Sequence, residues 1–307
     1  MVSSSESIAL GLLRELTGDS QSVFRSDQFE TIERLVEQRQ RVLLVQRTGW
    51  GKSAVYFVAT RMLRDSGAGP TLLISPLLAL MRNQIEAACR MGVRAETINA
   101  DIPRSEWEEV RAKIDADEVD ILLVSPERLS NVWFREEILP TLGKRSGLLV
   151  VDEAHCISDW GHDFRPNYRR IIRILDQLPP GMPVLCCTAT ANDRVVKDIV
   201  DQVGRNVHPI RGPLGRDGLG LHVLDMANRA ERLAWLSETI PELGGTGIVY
   251  CLRIDDTDQV AGWLANNGIR AVAYSGQTPA GESEEIEQRL LANDVTVVVA
   301  TSALGMG

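Results

Sequence analysis

Positive charge is in short supply in this 307-residue chain. Its 33 lysines and arginines face 42 aspartates and glutamates, for a formal net charge of −9. That balance argues against a protein that coats nucleic acid through bulk electrostatics, though it leaves room for a local basic track. Long apolar stretches are missing too, and no run approaches the ~20 residues that a membrane-spanning helix needs. The N-terminus, MVSSSESIALGLL, has no positive segment ahead of its short apolar stretch, so it does not read as a secretory signal. The five cysteines (Cys89, Cys156, Cys186, Cys187, Cys251) include no C-x-x-C pair. This argues against a zinc site and a disulfide framework, and favours an intracellular, reducing location.

What remains is the composition of a soluble globular protein, 44% hydrophobic and 24% charged, long enough for two domains with full cores. Short apolar runs punctuate it: RVLLV (41–45), TLLIS (71–75), ILLVS (121–125), GLLVVD (147–152) and PVLCCT (183–188). Continuously apolar strands of this kind predict a parallel sheet covered by helices on both faces. SAVYFVATRML, LALMRNQIEAACR and NDRVVKDIVDQV, which lie between or after them, carry apolar residues near helical spacing. GRNVHPIRGPLGRDGLG (204–220), rich in Gly and Pro, reads as a linker.

The pattern then restarts with LHVLD, GIVYC, RAVAY and VTVVVA as strands, and helices are expected around 229–240, 255–267 and 279–292. The expectation is an α/β chain with two lobes, each a mainly parallel sheet flanked by helices. A helical segment would occupy residues 1–40, a first lobe 41–205, a linker 206–220 and a second lobe 221–307. The second sheet is expected to be incomplete and the chain to be part of a longer protein.

The stretch VQRTGWGKSA (45–54) follows a strand and enters a helix, the context in which backbone N–H groups and a helix N-terminus can face phosphates. Gln46 stands where the strict G-x-x-x-x-G-K-[ST] pattern wants glycine, which departs from the pattern without removing the mechanism. Gly49 and Gly51 free the backbone for close approach of an anion. Lys52 offers a point charge to the β- and γ-phosphates, and Ser53 a hydroxyl for Mg²⁺. Thr48 and Trp50 complete the expected nucleotide contacts, with the indole on the loop's crest pointing away from the phosphates. In VVDEAHCISDW, Asp152 follows a strand and is placed to hold Mg²⁺, while Glu153 is placed to polarise an attacking water. The alternative is an acidic strand-end pair that caps a helix.

These residues carry a resemblance. QRTGWGKS, DEAH and TATA (188–191) resemble motifs I, II and III of superfamily 2 helicases. DEAHCISDWGHDFRPNYRRI is similar to motif II and the aromatic-rich loop of RecQ-family DNA helicases. FRSDQ, ISPLLALMRNQ, SPERL, IVYC and ATSALGMG match further motifs of that family in order, so the resemblance covers residues 24–307. It implies two RecA-like lobes, the second truncated, and ATP-dependent 3′→5′ unwinding of DNA in repair or recombination. ATP and Mg²⁺ would be the cofactors, and single strands and duplex junctions of DNA the partner. The location would be intracellular in any case, and cytoplasmic at the nucleoid if the source is bacterial.

By the same resemblance, Arg25 and Gln28 recognise adenine, a task that suits an amide able to donate and accept. Ser75, Pro76 and Ser125 would touch the strand backbone. His155, Thr188 and Thr190 would couple nucleotide state to lobe movement. Trp160, Phe164 and Tyr168 would stack on bases, beside a stripe formed by Arg165, Arg169 and Arg173. The alternative for that loop is a packed structure whose arginines pair with Asp159 and Asp163. Two departures stand out: Ser275 replaces a usual histidine, and Asp159 a common glutamine. The motif VI arginines would lie beyond Gly307, so this chain is expected to bind nucleotide without unwinding DNA. An RNA helicase, or a nucleotide-dependent switch that does not translocate, remains open as an alternative.

Overall fold

The structure is a computed structural model that describes residues 4–76, 82–98, 104–158, 168–175, 179, 181–204, 206–213, 215 and 219–304. The chain divides into two compact units, Met1–Asp217 and Gly218–Gly307. In the first, seven strands pair in parallel: β1 (Arg41–Val45), β2 (Thr71–Ile74), β3 (Ala95–Ile98), β4 (Ile121–Val124), β5 (Leu148–Val151), β6 (Val184–Thr188) and β7 (Val207–Arg211). Their order is β3-β4-β2-β5-β6-β1-β7. Successive residues of a strand point to opposite faces, and here each face has its own core. Leu43, Leu72, Leu149 and Cys186 enter one cluster, while Leu44, Leu73, Val150 and Cys187 enter the other. A run that is apolar at every position is thus what a sheet covered on both sides requires.

The second of these clusters is closed by α1 (Ser4–Thr17), α2 (Gln28–Val36), α3 (Lys52–Asp65) and α4 (Arg82–Arg90), through Ala9, Ile32, Val55 and Ala88 among others. The first is closed by α5 (Arg104–Asp115), α6 (Leu139–Arg145), α7 (Arg169–Leu175) and α8 (Asp193–Val203), through Trp107, Leu142, Ile171 and Ile199. Helix α8 starts where Asn192 Oδ1 accepts from the Val195 N–H at 3.0 Å, a side-chain cap for one of the free N–H groups.

The second unit has a three-stranded parallel sheet in the order β8-β10-β9, built from β8 (Gly247–Tyr250), β9 (Ala271–Tyr274) and β10 (Val297–Ala300). Central β10 is buried throughout, and its residues alternate between two small cores. Helices α9 (Arg229–Leu243), α10 (Ile254–Asn266) and α11 (Ala280–Leu291) occupy the segments expected to be helical. Edge strand β8 is largely exposed, with Ile248 and Tyr250 open to solvent.

Three expectations need correction. Residues 207–211, taken as linker, form β7 and continue the first sheet beside β1. Pro209 and His208 disguise it, but an edge strand tolerates a proline that a central strand would not. Strand β3 was also missed, because only Ile98 in it is fully buried and no apolar run announces it. Conversely, LHVLD (221–225) forms no strand, and Leu221 and Val223 are exposed. Alternation alone makes no ladder without a neighbour to bond.

Candidate active site

The parallel order sets β5, β6 and β1 side by side, so the segments leaving their C-terminal ends lie together. From β1 emerges the loop 46–51, and α3 begins at Lys52. Gly49 and Gly51 have φ of 77° and 97°, left-handed values that a side chain would strain. A Cβ on Gly51 would also sit 2.7 Å from Gln28 Nε2. The Lys52 ammonium is held inside the loop, 3.0 Å from the Gln46 carbonyl and 3.5 Å from that of Arg47. An incoming phosphate would replace these carbonyls. Ser53 lies in the first turn of α3, and Thr48 and Gly49 are exposed at the loop's surface. Trp50, expected on the crest, is instead buried within the core that packs α1, α2 and α3. It anchors the loop from beneath, since burying an indole stabilises more than exposing it.

From β5 emerge Asp152 and Glu153. The Asp152 carboxylate accepts from Ser75 Oγ at 3.2 Å, and its backbone carbonyl accepts from Tyr168 Oη at 3.0 Å. Loss of water around the Asp152 carboxyl, and then the charge of Glu153, push its pKa up to about 6. The Glu153 backbone N–H, Lys52 and Ser75 oppose that rise. Glu153 has left-handed backbone angles of φ 48° and ψ 46°, an unusual conformation for a residue with a side chain. It caps the turn that carries His155, which is 5% exposed. His155 Nδ1 lies 3.1 Å from Glu153 Oε2 and 3.0 Å from Thr188 Oγ1. Thr188 closes β6, and its hydroxyl accepts from the Thr190 N–H at 3.2 Å. One imidazole thus joins the acidic pair to the 188–190 turn.

The turn before α2 reaches the loop from the side. Gln28 Oε1 accepts from the Arg25 N–H at 2.9 Å, and its Nε2 lies 3.3 Å from the carbonyls of both Trp50 and Gly51. Arg25 Nη1 donates to the Gly49 carbonyl. Both residues named for adenine therefore lie at the loop, with their donors engaged by it.

The expected nucleic-acid contacts fare unevenly. Ser75 is fully buried and serves Asp152, so it is not a surface contact. Tyr168, expected to stack on bases, is likewise fully buried, and its hydroxyl supports the Asp152 carbonyl. Pro76 is partly exposed at the end of β2. Ser125 is nearly buried after β4, and its Oγ has no hydrogen-bond partner among the described residues. Trp160, Phe164 and Arg165 lie outside the described residues, and Arg169 is placed only as the first residue of α7. The supporting roles of Ser75 and Tyr168 were missed. Position after a strand or in an aromatic string gave no sign of which way either hydroxyl turns.

Among the described residues no group of three or more His, Cys, Asp and Glu could hold a metal by itself. That is compatible with Mg²⁺, which commonly keeps one or two protein ligands and fills its shell with phosphate and water oxygens. A poorly hydrated carboxyl beside a second acid fits a cation, and the loop's open glycine backbone fits a polyphosphate.

Known proteins resemble this chain along most of its length. A model of DEAD/DEAH box helicases matches residues 25–199, and one of the helicase conserved C-terminal domain matches 231–307. The chain is 32% identical to the ATP-dependent DNA helicase RecQ of Haemophilus influenzae, over 97% of this chain and 46% of that one. It is 33% identical to the RecQ of Bacillus subtilis, over 92% of this chain and 47% of that one. It thus spans about half the length of these curated relatives. Saccharomyces cerevisiae Dbp5 bound to RNA and ADP BeF3 shares the fold with a TM-score of 0.74 at 15% identity, over 95% of this chain and 74% of that one. The chain belongs to the superfamily 2 helicases of the DEAD/DEAH box type, within the RecQ family.

Proposed function

We propose that this chain is the motor region of an ATP-dependent DNA helicase, one that couples ATP hydrolysis to 3′→5′ separation of duplex DNA. The observation that supports it most is the convergence of Lys52, Asp152, Glu153, His155 and Thr188 on the C-terminal ends of β1, β5 and β6. ATP, with Mg²⁺, would supply an electrophilic γ-phosphorus and a cation that neutralises developing charge. Lys52 would hold the β- and γ-phosphates, and Ser53 and Asp152 would hold the cation. Glu153 would orient and deprotonate the attacking water, and its contact with His155 would report that state to Thr188 and Thr190. Arg25 and Gln28 would exchange their bonds to loop carbonyls for bonds to adenine.

Pro76, Ser125, Trp160, Phe164, Arg165 and Arg169 would contact the single strand. The division of labour would follow residues 41–205 as the ATP-binding lobe, 206–220 as the connection, modified by β7, and 221–307 as the second lobe. An RNA substrate is the second reading, because the RNA-bound yeast protein has the same fold. Steady-state ATP hydrolysis, measured alone and with single-stranded DNA or RNA of equal length, tests these readings on the full-length protein. Stimulation by DNA well above that by RNA is expected. Equal or greater stimulation by RNA would favour the second reading, and stimulation by neither would leave a nucleotide switch.

A further inference from the structure

Gln46 is the residue that breaks the strict phosphate-loop pattern, and the structure gives it four connections. Its N–H donates to the Thr188 carbonyl at 3.0 Å, and its own carbonyl accepts from Lys52 Nζ. Its side chain is 1% exposed, and Nε2 donates to Asp27 Oδ2 at 2.9 Å. Its amide also lies against the backbone at Gly212, where an added Cβ would stand 2.3 Å from Gln46 Oε1. Gly212 follows β7 and donates its N–H to the Val45 carbonyl, so the glycine and the glutamine are a matched pair. A glycine at position 46 could make the backbone bonds, but not the other two connections.

Asp27 is the more informative partner. It holds a left-handed backbone conformation, φ 69°, as the residue just before α2 and just before Gln28. Its carbonyl accepts from Thr31 N–H and Thr31 Oγ1, at 3.0 and 2.6 Å, which fixes the turn from the helix side. Gln46 fixes the same turn from the sheet side, through a hydrogen bond strengthened by the carboxylate charge. Such a turn persists only where its surroundings over-determine it. On the reading that this is a nucleotide site, we propose that Gln46 is a positioning residue. Its buried amide, bonded to Asp27 and seated on Gly212, holds the 25–28 base-side turn in register with the phosphate loop.

The test compares two ligands by calorimetry in the presence of Mg²⁺. ATP engages both the loop and the turn, whereas tripolyphosphate engages the loop alone. Gln46→Leu keeps most of the volume and removes the bond, so ATP should bind about 3- to 10-fold more weakly, while tripolyphosphate binds as before. Gln46→Glu would set two carboxylates together and weaken ATP binding further. Adding Asp27→Asn to that variant reverses donor and acceptor and should restore it, which decides the matter even if Gln46→Leu fails to fold.

Unchanged ATP binding in Gln46→Leu, equal loss for both ligands, or no recovery in the reversed pair would overturn the positioning role. Failure of the unsubstituted chain to bind either ligand would instead defeat the nucleotide reading, and the inference with it.

Discussion

Asp152→Asn separates what a cation site needs from what the fold itself prefers. Desolvation and the neighbouring Glu153 move the Asp152 carboxyl from its ordinary 3.8 to about 6. Because the folded value is raised, the native state binds more protons than the unfolded chain between those two pH values. Stability is therefore fully present below pH 3.8 and is lost as pH rises through 6. At about 1.36 kcal/mol for each tenfold change in ionisation, the ceiling on that loss is about 3 kcal/mol. Asp152 keeps some exposure, so solvent screening brings the expected figure to about 1–2 kcal/mol.

An asparagine cannot ionise, can still accept from Ser75, and leaves the Tyr168 bond to the backbone untouched. Without nucleotide at pH 8, Asp152→Asn should thus be the more stable chain. Its advantage should shrink to about half by pH 5 and fade toward pH 4. Adding Mg²⁺ and ATP should raise the unfolding midpoint of the unsubstituted chain and leave that of the variant almost unmoved. Urea unfolding at several pH values, with and without Mg²⁺ and ATP, measures all of this. A variant less stable at pH 8, by a margin that pH 5 does not change, would refute the strained carboxylate. An undiminished Mg²⁺-ATP shift would refute its role as a ligand.

Lys52→Ala should abolish ATP hydrolysis in the full-length protein while leaving the unfolding midpoint close to that of the parent; retained DNA-stimulated turnover would exclude the loop as the phosphate site. Trp160→Ala should lower DNA stimulation more than ATP affinity, since base stacking is worth about 1–3 kcal/mol, and equal stimulation would make its loop purely structural. Tyr168→Phe should destabilise the first unit by about 0.5–1.5 kcal/mol in urea unfolding, through loss of the bond to the Asp152 carbonyl. Asp120, bound by Arg94 and Arg64, has its carboxyl lowered to about 2 against its burial. Its stabilising effect is present above pH 3.8 and lost as pH falls toward 2, so Asp120→Asn should be the weaker chain at pH 7 and converge with the parent at pH 2.

Much of the molecule was settled locally. RVLLV, TLLIS, ILLVS, GLLVV and VLCCT are apolar at positions facing both sides, and such segments have few options besides a covered parallel strand. Gly51 and Lys52 at a strand-to-helix junction mark a candidate phosphate loop with no knowledge of neighbours, because backbone freedom and charge are properties of the residues themselves. The edges of the sheet were less legible. Strands β3 and β7 bury only part of their surface, so they need no apolar run, and β7 is a strand because β1 offers it partners.

Side-chain direction lay further still from the sequence. Ser75 and Tyr168 were expected at a nucleic-acid surface, and both turn inward to Asp152. Trp50 sits between two glycines in a loop, yet it is core. Nor could Gln46 be matched to Asp27 and Gly212 in advance, since the three are distant in sequence and meet only across the end of the sheet. The sequence by itself determined the central strands of the first sheet, the three strands of the second and several of the helices, and it singled out residues whose chemistry suits phosphate and cation. The non-sequential order β5-β6-β1 decided which of those residues meet, because hydrophobic periodicity specifies that a side chain is buried but not what it is buried against.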